Sequence, residues 1–305
     1  MIPPSGAQHE LESGTHRAVV VEVGGGLRAY EAGGRPVLDG YARDAVCDGG
    51  RGQALLPWPN RVGDGRYTWD GTERQLALSE PAAGNAIHGL TRWSSWSRDR
   101  GPGFVMRNRL YPQQGWDWIL DLSLTYGLDA TGGLTVTVAA VNASETACPW
   151  GAGFHPYLAA FGGVVDDVQL TVPAAAWYTS DARGLPTGQQ KVDGTELDFR
   201  RGRRVGAQAL DTCLTDLERD GTGRAVVDML AADGRTRTRL WMDAAFTHVM
   251  VFSGDTLSDP ARRRRGLAVE PMTGPPDMLR SGEGRLVLEP GGRFEASWGI
   301  TPDSE

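Results

Sequence analysis

Five residues, each in a separate segment of this 305-residue chain, carry side chains suited to acid, base or hydrogen-bonding chemistry: Arg61, His88, His155, Asp211 and Glu270. Near neutral pH a carboxylate accepts protons and an imidazolium donates them, because the reference pKa values are about 4.3 for glutamate and about 6.5 for histidine. Arginine and aspartate can bind hydroxyl groups. Each residue alone could equally have a structural role, so the sequence around it must distinguish a functional position from a structural one.

Two of the histidines lie in segments that favour a functional position. His88 lies in NAIHGL (residues 85–90), and His155 lies in WGAGFHPYL (residues 150–158). Glycines in both segments permit tight turns and close approach of the backbone. We therefore expect both side chains to lie at a cleft. The remaining histidines are interpreted as hydrogen-bonded core or surface residues: His9, His16 and His248.

Glu270 and Arg61 each have two explanations that spacing alone leaves open. Glu270 ends the apolar segment 267–269 and precedes Pro271, which cannot continue a ladder of hydrogen bonds. It is therefore either a partly desolvated carboxylate or a strand-end side chain in water. Arg61 follows the rigid turn segment PWPN (residues 57–60), which either fixes its guanidinium for a ligand or makes it a structural arginine.

The elements that position these residues are predicted to be strands. Alternation of apolar and polar residues predicts strands at 18–23, 119–126, 134–141, 168–172, 248–252, 285–288 and 294–300. Glycine-rich segments between them are typical of turns. Residues 41–47 and 212–217 are the two places where a helical turn is expected. The pattern predicts an all-β fold built as a long antiparallel meander and disfavours βαβ units.

The composition excludes several classes of protein. Hydrophobic residues make up 40% and charged residues 23% of the chain, which is typical of a soluble globular protein. The net charge of −7 supplies no positive field for the phosphates of nucleic acid, so a small neutral partner is expected. No apolar run long enough for a signal peptide or a membrane span occurs, so we expect no membrane partner.

The three cysteines, Cys47, Cys148 and Cys213, are widely spaced and form no CxxC pair. This spacing indicates neither a disulfide framework nor a zinc site, and it favours a reducing, cytoplasmic location.

The chain is predicted to form one domain, residues 16–305, after a flexible N-terminal segment, residues 1–15. This length suits a single large sandwich, and neither a repeat nor a linker divides it. Residues 258–265 are expected to form a loop. Its four consecutive arginines, Arg262, Arg263, Arg264 and Arg265, are interpreted as a solvated charge run, with binding of a phosphate or sulfonate as the alternative.

Taken together, the motifs resemble one known family. They are LPWPNRV (56–62), IHGL (87–90) before a tryptophan, GFHPY (153–157), DTCL (211–214) and VEP (269–271). In this order they resemble the aldose 1-epimerases, also called galactose mutarotases, from about Val19 to Ile300. The PWPNR variant resembles bacterial branches of the family, among them a sulfoquinovose mutarotase, more than the dedicated galactose enzymes.

The resemblance implies a large antiparallel β-sandwich, the galactose mutarotase-like supersandwich, acting on a small-molecule sugar as a monomer or homodimer without metal or organic cofactor. It further implies that Glu270 is the general base and His155 the general acid. Residues implied to bind and orient the sugar are Arg61, His88, Asp211, Asn60 and Tyr157. Trp58 or Trp150 could stack on the sugar ring.

The predicted function is interconversion of the α and β anomers of a free aldose. One alternative is a mutarotase of a phosphorylated or sulfonated hexose, whose anionic group would be bound by Arg66, Arg92 or the 262–265 run. Another is a non-catalytic carbohydrate-binding protein, which would not require an acid and a base together. A glycoside hydrolase is disfavoured because hydrolysis usually needs two placed carboxyl groups, and only Glu270 is convincing.

Overall fold

The computed structural model describes residues 2–303, which form 27 strands and almost no helix. The first strands are β1 (Gln8–Ser13), β2 (His16–Val21), β3 (Leu27–Ala32), β4 (Arg35–Pro36), β5 (Ala54–Leu55), β6 (Arg61–Gly63), β7 (Arg66–Trp69), β8 (Thr72–Gln75), β9 (Asn85–Ile87), β10 (Ser97–Arg98), β11 (Phe104–Leu110), β12 (Leu120–Asp129), β13 (Gly133–Asn142) and β14 (Cys148–Trp150).

The second half of the chain continues this pattern. Its strands are β15 (Gly153–Phe154), β16 (Tyr157–Ala159), β17 (Gln169–Thr171), β18 (Ala174–Ser180), β19 (Pro186–Lys191), β20 (Arg203–Arg204), β21 (Asp211–Leu217), β22 (Ala225–Leu230), β23 (Arg237–Met242), β24 (His248–Phe252), β25 (Gly266–Met272), β26 (Leu286–Leu288) and β27 (Arg293–Asp303). The helical segments within residues 2–303 are α1 (Met278–Ser281) and the 3₁₀ turns Val165–Asp167 and Pro260–Arg262.

Two large antiparallel sheets dominate the molecule. One has nine strands in the order β10, β11, β12, β13, β27, β23, β22, β17 and β20. The other has eight strands: β19, β18, β21, β24, β25, β15 and β5 in order, with β16 also paired to β25. A four-stranded sheet, β1 to β4, and the pairs β14–β26, β6–β9 and β7–β8 complete the fold. The predicted all-β antiparallel fold is confirmed.

A single large apolar core joins the two sheets. Along β12 the alternate residues Leu120, Leu122 and Leu124 are buried in this core, and Val249 and Val251 of β24 enter it from the other sheet. A residue period of two therefore directs one face of each strand inward, as expected for a sandwich.

Strand β25 is buried on both of its faces. Leu267 and Val269 belong to the large core, whereas Ala268 and Met272 belong to smaller clusters on the opposite face. Glu270 shares that opposite face by alternation. The second face is therefore a protected surface on which polar side chains can be held away from water.

Three local predictions need correction. Residues 212–217 form part of β21 and not a helical turn, because Cys213 and Leu214 pair with β24. Residues 41–47 contain one hydrogen-bonded turn, in which the Ala45 N–H donates to the Ala42 carbonyl at 3.1 Å, but no helix. Residues 8–13, predicted to be flexible, form β1 and pair with β2 along their whole length, so the folded unit begins before residue 16. None of the helices within residues 2–303 has the length and apolarity needed to cross a membrane.

Candidate active site

Strand register places two acidic residues, the exposed Asp211 and the buried Glu270, on the same face of the eight-stranded sheet. Cys213 of β21, Met250 of β24 and Glu270 of β25 are paired across neighbouring strands. Asp211 pairs with Phe252 one step further along the same face. Because alternate residues share a face, Asp211 and Glu270 project from the same side of the sheet, two strands apart.

The same register explains the position of His155. Strand β25 pairs with β15 through Gly153 and with β16 through Tyr157. His155 lies midway between these two pairs, at the position opposite Glu270, where Pro156 interrupts the strand. The backbone N–H of His155 donates to the Gln53 carbonyl at 3.1 Å. Because directly opposed residues of an antiparallel pair project from the same face, His155 lies on the same side of the sheet as Glu270.

A short two-stranded sheet supplies the facing wall. Arg61 of β6 pairs with Ile87 of β9, which brings the following residue, His88, beside Asn60. Asn60 and His88 have φ values of 54° and 63°, in the left-handed region. The His88 N–H donates to the Asn60 carbonyl at 2.9 Å, and the Asn60 side-chain oxygen accepts from the Arg61 N–H at 2.9 Å. Two tight turns thus aim Arg61 and His88 at the same space.

These walls enclose a cavity of about 330 Å³. Seven of the nine residues given a catalytic, sugar-binding or stacking role from the sequence line it: Asn60, Arg61, His88, His155, Tyr157, Asp211 and Glu270. Sequence reasoning did not single out these further lining residues: Cys47, Gly49, Gly50, Ile87, Trp93, Met250, Phe252, Thr256, Leu257 and Ser258.

The central feature of the cavity is the close approach of His155 and Glu270. Nε2 of His155 lies 3.2 Å from Oε1 of Glu270, and the two side chains are only 7% and 3% exposed. The ring of His88 meets that of His155 edge-on at 5.3 Å. Nδ1 of both histidines and Oε2 of Glu270 are buried without a hydrogen-bond partner in the described residues. Such atoms are rare in folded proteins and mark a position for a polar ligand or water.

His155 is held from behind by a stack of planar groups. The Tyr157 ring lies parallel to it at 5.1 Å, and the Arg51 guanidinium lies 4.1 Å from the Tyr157 ring centre. The Tyr157 hydroxyl donates to the Gly49 carbonyl at 3.0 Å. Gly50 has a φ of 75°, and a side chain there would contact the His155 ring, so only glycine lets this backbone pass. Tyr157 therefore supports His155, and its own hydroxyl is already bonded.

Burial shifts the pKa values of the acid and the base in opposite directions. Desolvation lowers the pKa of His155 to about 3, and nearby Arg51 and Arg92 act in the same direction. Desolvation and the Asp211 charge raise the pKa of Glu270 well above its ordinary value, although Arg61 opposes this shift. Desolvation by the surrounding side chains also raises the pKa of Asp211, although this residue keeps contact with solvent. The cavity therefore disfavours charge on both members of the central pair.

The tryptophan predictions are wrong. Trp58 and Trp150 are almost wholly buried in the large core and do not line the cavity. Trp58 packs against Trp116 at 6.5 Å instead. Trp93 is the tryptophan that lines the cavity, and it is 55% exposed. In the sequence, only its closeness to His88, five residues earlier, indicated that Trp93 lies at the cavity.

The predicted cationic groups have different surroundings. Arg92 lines the cavity and stacks on Trp93 at 5.6 Å, and none of residues 2–303 forms an ion pair with it. Arg66 lies outside the cavity and donates to Gln75. In the 262–265 run, Arg262 pairs with Asp39, and Arg264 pairs with Asp166 and Asp255. These two arginines are therefore only partly exposed, and their carboxylate partners leave them less free to bind an anion.

No group of three or more His, Cys, Asp or Glu side chains in residues 2–303 is arranged to hold a metal ion.

Comparison with known proteins identifies relatives. A family model described as aldose 1-epimerase matches residues 7–301. The uncharacterized protein YihR of Escherichia coli (strain K12) is 32% identical over 289 residues, covering 94% of this chain and 90% of YihR. Galactose mutarotase of Rattus norvegicus is 31% identical over 157 residues, covering 48% of this chain and 44% of the rat protein. The crystal structure of a galactose mutarotase-like protein from Clostridium acetobutylicum has a TM-score of 0.84 at 17% identity and covers 97% of this chain and 95% of its own.

The pKa of Glu270 leads to a prediction about stability. Glu270 binds its proton more tightly in the folded state than in the unfolded state. The folded protein therefore loses stability as the pH rises from 4.5, the ordinary pKa of the group, through its raised pKa in the folded state. Replacement Glu270→Gln removes this loss. We expect the variant to melt higher than the parent by roughly 2 °C or more at pH 8, and the difference to shrink towards pH 4.

Asp129→Asn provides a control of opposite sign. Hydrogen bonds from Thr131 and Gly132 lower the pKa of Asp129 to about 2, so this group stabilises the fold above the ordinary pKa of 3.8 and loses that effect as pH falls. This control should melt lower than the parent at pH 8 and approach it near pH 2. A Glu270→Gln melting temperature equal to or below the parent at every pH would contradict the assigned direction.

Proposed function

The chain belongs to the aldose 1-epimerase family, and on this premise we propose that it is an isomerase that interconverts the α and β anomers of a free aldose in the cavity. The observation that carries the proposal is the pair of His155 and Glu270, 3.2 Å apart and nearly excluded from water. A cavity that only binds sugar has no need to bury an acid and a base against each other, because burial of ionisable groups is costly.

The reaction needs both groups at once. Anomer exchange begins when a base removes the proton of the anomeric hydroxyl and an acid protonates the ring oxygen, so that the bond between the anomeric carbon and the ring oxygen breaks. The open aldehyde then rotates about its bond to carbon two. The freed hydroxyl attacks the other face of the carbonyl carbon, the acid residue recovers its proton from that hydroxyl, and the base returns its proton to the carbonyl oxygen.

We assign the base to Glu270 and the acid to His155. The raised pKa of Glu270 makes its carboxylate a stronger base, and the lowered pKa of His155 makes its imidazolium a stronger acid. The active pair carries one proton, on His155. Burial favours the alternative position of that proton on Glu270, so transfer between the two residues precedes or accompanies sugar binding.

The remaining lining residues bind and orient the sugar. Asp211 lies on the side of β25 away from His155, and Arg61 lines the cavity from the β6–β9 wall. Both can bind hydroxyl groups remote from the anomeric carbon. His88 meets His155 edge-on and can bind a hydroxyl near the reacting bond. Holding the open chain in this way keeps the attacking hydroxyl near the carbonyl carbon, which favours reclosure over escape.

A mutarotase of an anionic hexose is a second candidate, and Arg92 favours it. This guanidinium lines the cavity without an ion-pair partner in the described residues, whereas Arg61 is paired with Glu80. Burial lowers the pKa of Arg92, which indicates an uncompensated cost of holding this charge. A phosphate or sulfonate on the sugar would supply the missing partner. Of the arginines considered from the sequence as partners for an anionic group on the sugar, Arg92 is the one that lines the cavity.

The chain's compartment also stays a proposal. Cys47, Cys148 and Cys213 are all free thiols, and two of them are buried. Free thiols suit a reducing environment, so we propose a cytoplasmic location.

Activity measurements test the assignment of the acid and the base. We expect Glu270→Gln and His155→Asn each to slow mutarotation of a freshly dissolved anomer, followed by polarimetry in the presence of EDTA, at least about 10²-fold. Sugar affinity should change far less, because contacts with remote hydroxyls persist.

His16→Asn is the matched control for His155→Asn. His16 is also a buried histidine and lies within hydrogen-bonding distance of the Tyr30 hydroxyl, but it lies on β2, outside the cavity. It should retain the parent rate per folded molecule. Parent rates in folded Glu270→Gln would refute the assignment of the base. Activity lost to EDTA and restored by a divalent ion would refute the metal-free mechanism.

The pH dependence of kcat/KM should be bell-shaped, with limbs set by the shifted pKa values. Below the lowered pKa of His155, about 3, both residues are protonated and no base is available. Above the raised pKa of Glu270 both have lost their protons and no acid is available. The order is the reverse of that expected from reference pKa values, which would place Glu270 on the acid limb. An acid limb near pH 6.5 without an alkaline limb would instead indicate an unshifted histidine acting as a base.

A substrate panel separates the two candidate substrates. If the sugar is anionic, Arg92→Gln should raise KM for a hexose 6-phosphate or 6-sulfonate about 10-fold or more and leave KM for the neutral hexose unchanged. Arg66→Gln, which removes an arginine outside the cavity, should change neither. An equal effect of Arg92→Gln on neutral and anionic sugars would exclude recognition of the anion by this residue.

A further inference from the structure

Arg61 is held by a carboxylate from outside the sheet that carries the acid and the base. Its Nε donates to Oε2 of Glu80 at 2.9 Å, and its Nη2 donates to Oε1 of Glu80 at 3.1 Å. None of residues 2–303 accepts a hydrogen bond from Nη1. This two-point contact fixes the plane of the guanidinium and leaves Nη1 for another acceptor.

Glu80 is itself held in place by a buried amide. The Asn85 side chain donates to Oε2 of Glu80 at 2.8 Å and to the Arg183 carbonyl at 3.0 Å. Arg183 in turn donates to the carbonyls of Ala83 and Gly84 at 2.8 and 2.9 Å. The turn between β18 and β19 is therefore bonded to the segment that carries Glu80.

The same turn covers the Arg61 guanidinium. Gly184 has a φ of 75°, and a Cβ atom at this position would lie 2.5 Å from Nη1 and 2.8 Å from Cζ of Arg61. A contact of 2.5 Å forces one of the two groups to move. Arg61 therefore keeps its place only because residue 184 has no side chain.

The position of Arg61 affects the charge of the cavity. Its guanidinium opposes the upward pKa shifts that burial imposes on Glu270 and Asp211. Displacing the guanidinium would allow both pKa values to rise further. The contacts with Glu80 and Gly184 thus influence both the hydroxyl donor at Nη1 and the proton affinity of Glu270.

We propose that Glu80 and Gly184, with Asn85 and Arg183 behind them, form an arginine clamp that fixes Arg61 as a sugar-binding donor beside Glu270. Glu80 and Gly184 are positioning residues in this account and do not touch the sugar. The inference rests on the proposed function for its sugar-binding role. Its effect on the pKa of Glu270 does not depend on sugar binding, because the Arg61 charge lowers that pKa in the free protein.

Gly184→Ala tests the clamp, and Gly194→Ala is its matched control. Gly194 has a similar φ of 71° but has open space where the Cβ atom would be. Both variants carry the same backbone strain, so both should lose similar stability. Only Gly184→Ala should raise the KM for the sugar about 10-fold or more, with kcat changed much less, and shift the alkaline limb of kcat/KM to higher pH.

Glu80→Gln provides a second test that adds no bulk. It removes the charge and one acceptor for Arg61, and we expect the same rise in KM. KM is the readout for this variant, because loss of the Glu80 charge itself lowers the pKa of Asp211 and opposes a shift of the alkaline limb to higher pH. Asp121→Asn is its control, because Asp121 of β12 forms a comparable two-point contact with Arg109 of β11, away from the cavity. This control should leave KM and the pH profile unchanged.

A measurement independent of turnover keeps the clamp testable if the proposed function fails. The pKa of Glu270 can be followed by ¹³C NMR of labelled glutamate carboxyls, with Glu270→Gln identifying its signal. The clamp predicts a higher pKa in Gly184→Ala than in the parent or Gly194→Ala. An unchanged pKa, or equal KM and pH profiles for the two alanine variants, would overturn it. A parent inactive on every sugar, with the pKa shift present, would overturn the proposed function and retain the clamp.

Discussion

The 3.2 Å approach of His155 Nε2 to Glu270 Oε1 is the constraint on which the rest of the cavity depends. Strand register sets it, because His155 occupies the position opposite Glu270 where pairing between β25 and its neighbour is interrupted. A shift of one residue would send Glu270 into the large core and Val269 into the cavity. The buried apolar face of β25 opposes that shift, so the core that stabilises the fold also determines the geometry of the pair.

Desolvation gives this pair its proposed reactivity and makes it costly to keep. An acid and a base in water would ionise readily but would be weak reagents, whereas burial raises the proton affinity of Glu270 and lowers that of His155. The surrounding groups moderate this cost. Arg61 favours the carboxylate form of Glu270, and the stacked Tyr157 holds the imidazole plane without donating to it. A stable scaffold with two large sheets can accommodate such an unfavourable site.

Much of the fold and of the site was predictable because the signals were local. Alternating apolar residues predicted β12, β13, β24 and β27, and short motifs carried the lining residues Arg61, His88, His155, Asp211 and Glu270. Local sequence patterns failed to predict the structure where contacts between segments distant in sequence determine it. Residues 212–217 became a strand through pairing with β24, and β1 became ordered through pairing with β2. Burial of Trp58, exposure of Trp93 and the contact of Glu80 with Arg61 all depend on segments distant in sequence.

The central claim is that the buried pair exchanges anomers and does not merely bind them. Two-dimensional ¹H exchange spectroscopy of an aldose at anomeric equilibrium measures this directly, because cross-peaks between the α and β anomeric protons report interconversion without any change in concentration. The account predicts cross-peaks whose intensity rises with parent enzyme and which vanish with Glu270→Gln, although sugar signals still broaden on binding. Broadening with the parent enzyme, without enzyme-dependent cross-peaks for neutral or anionic aldoses, would contradict it.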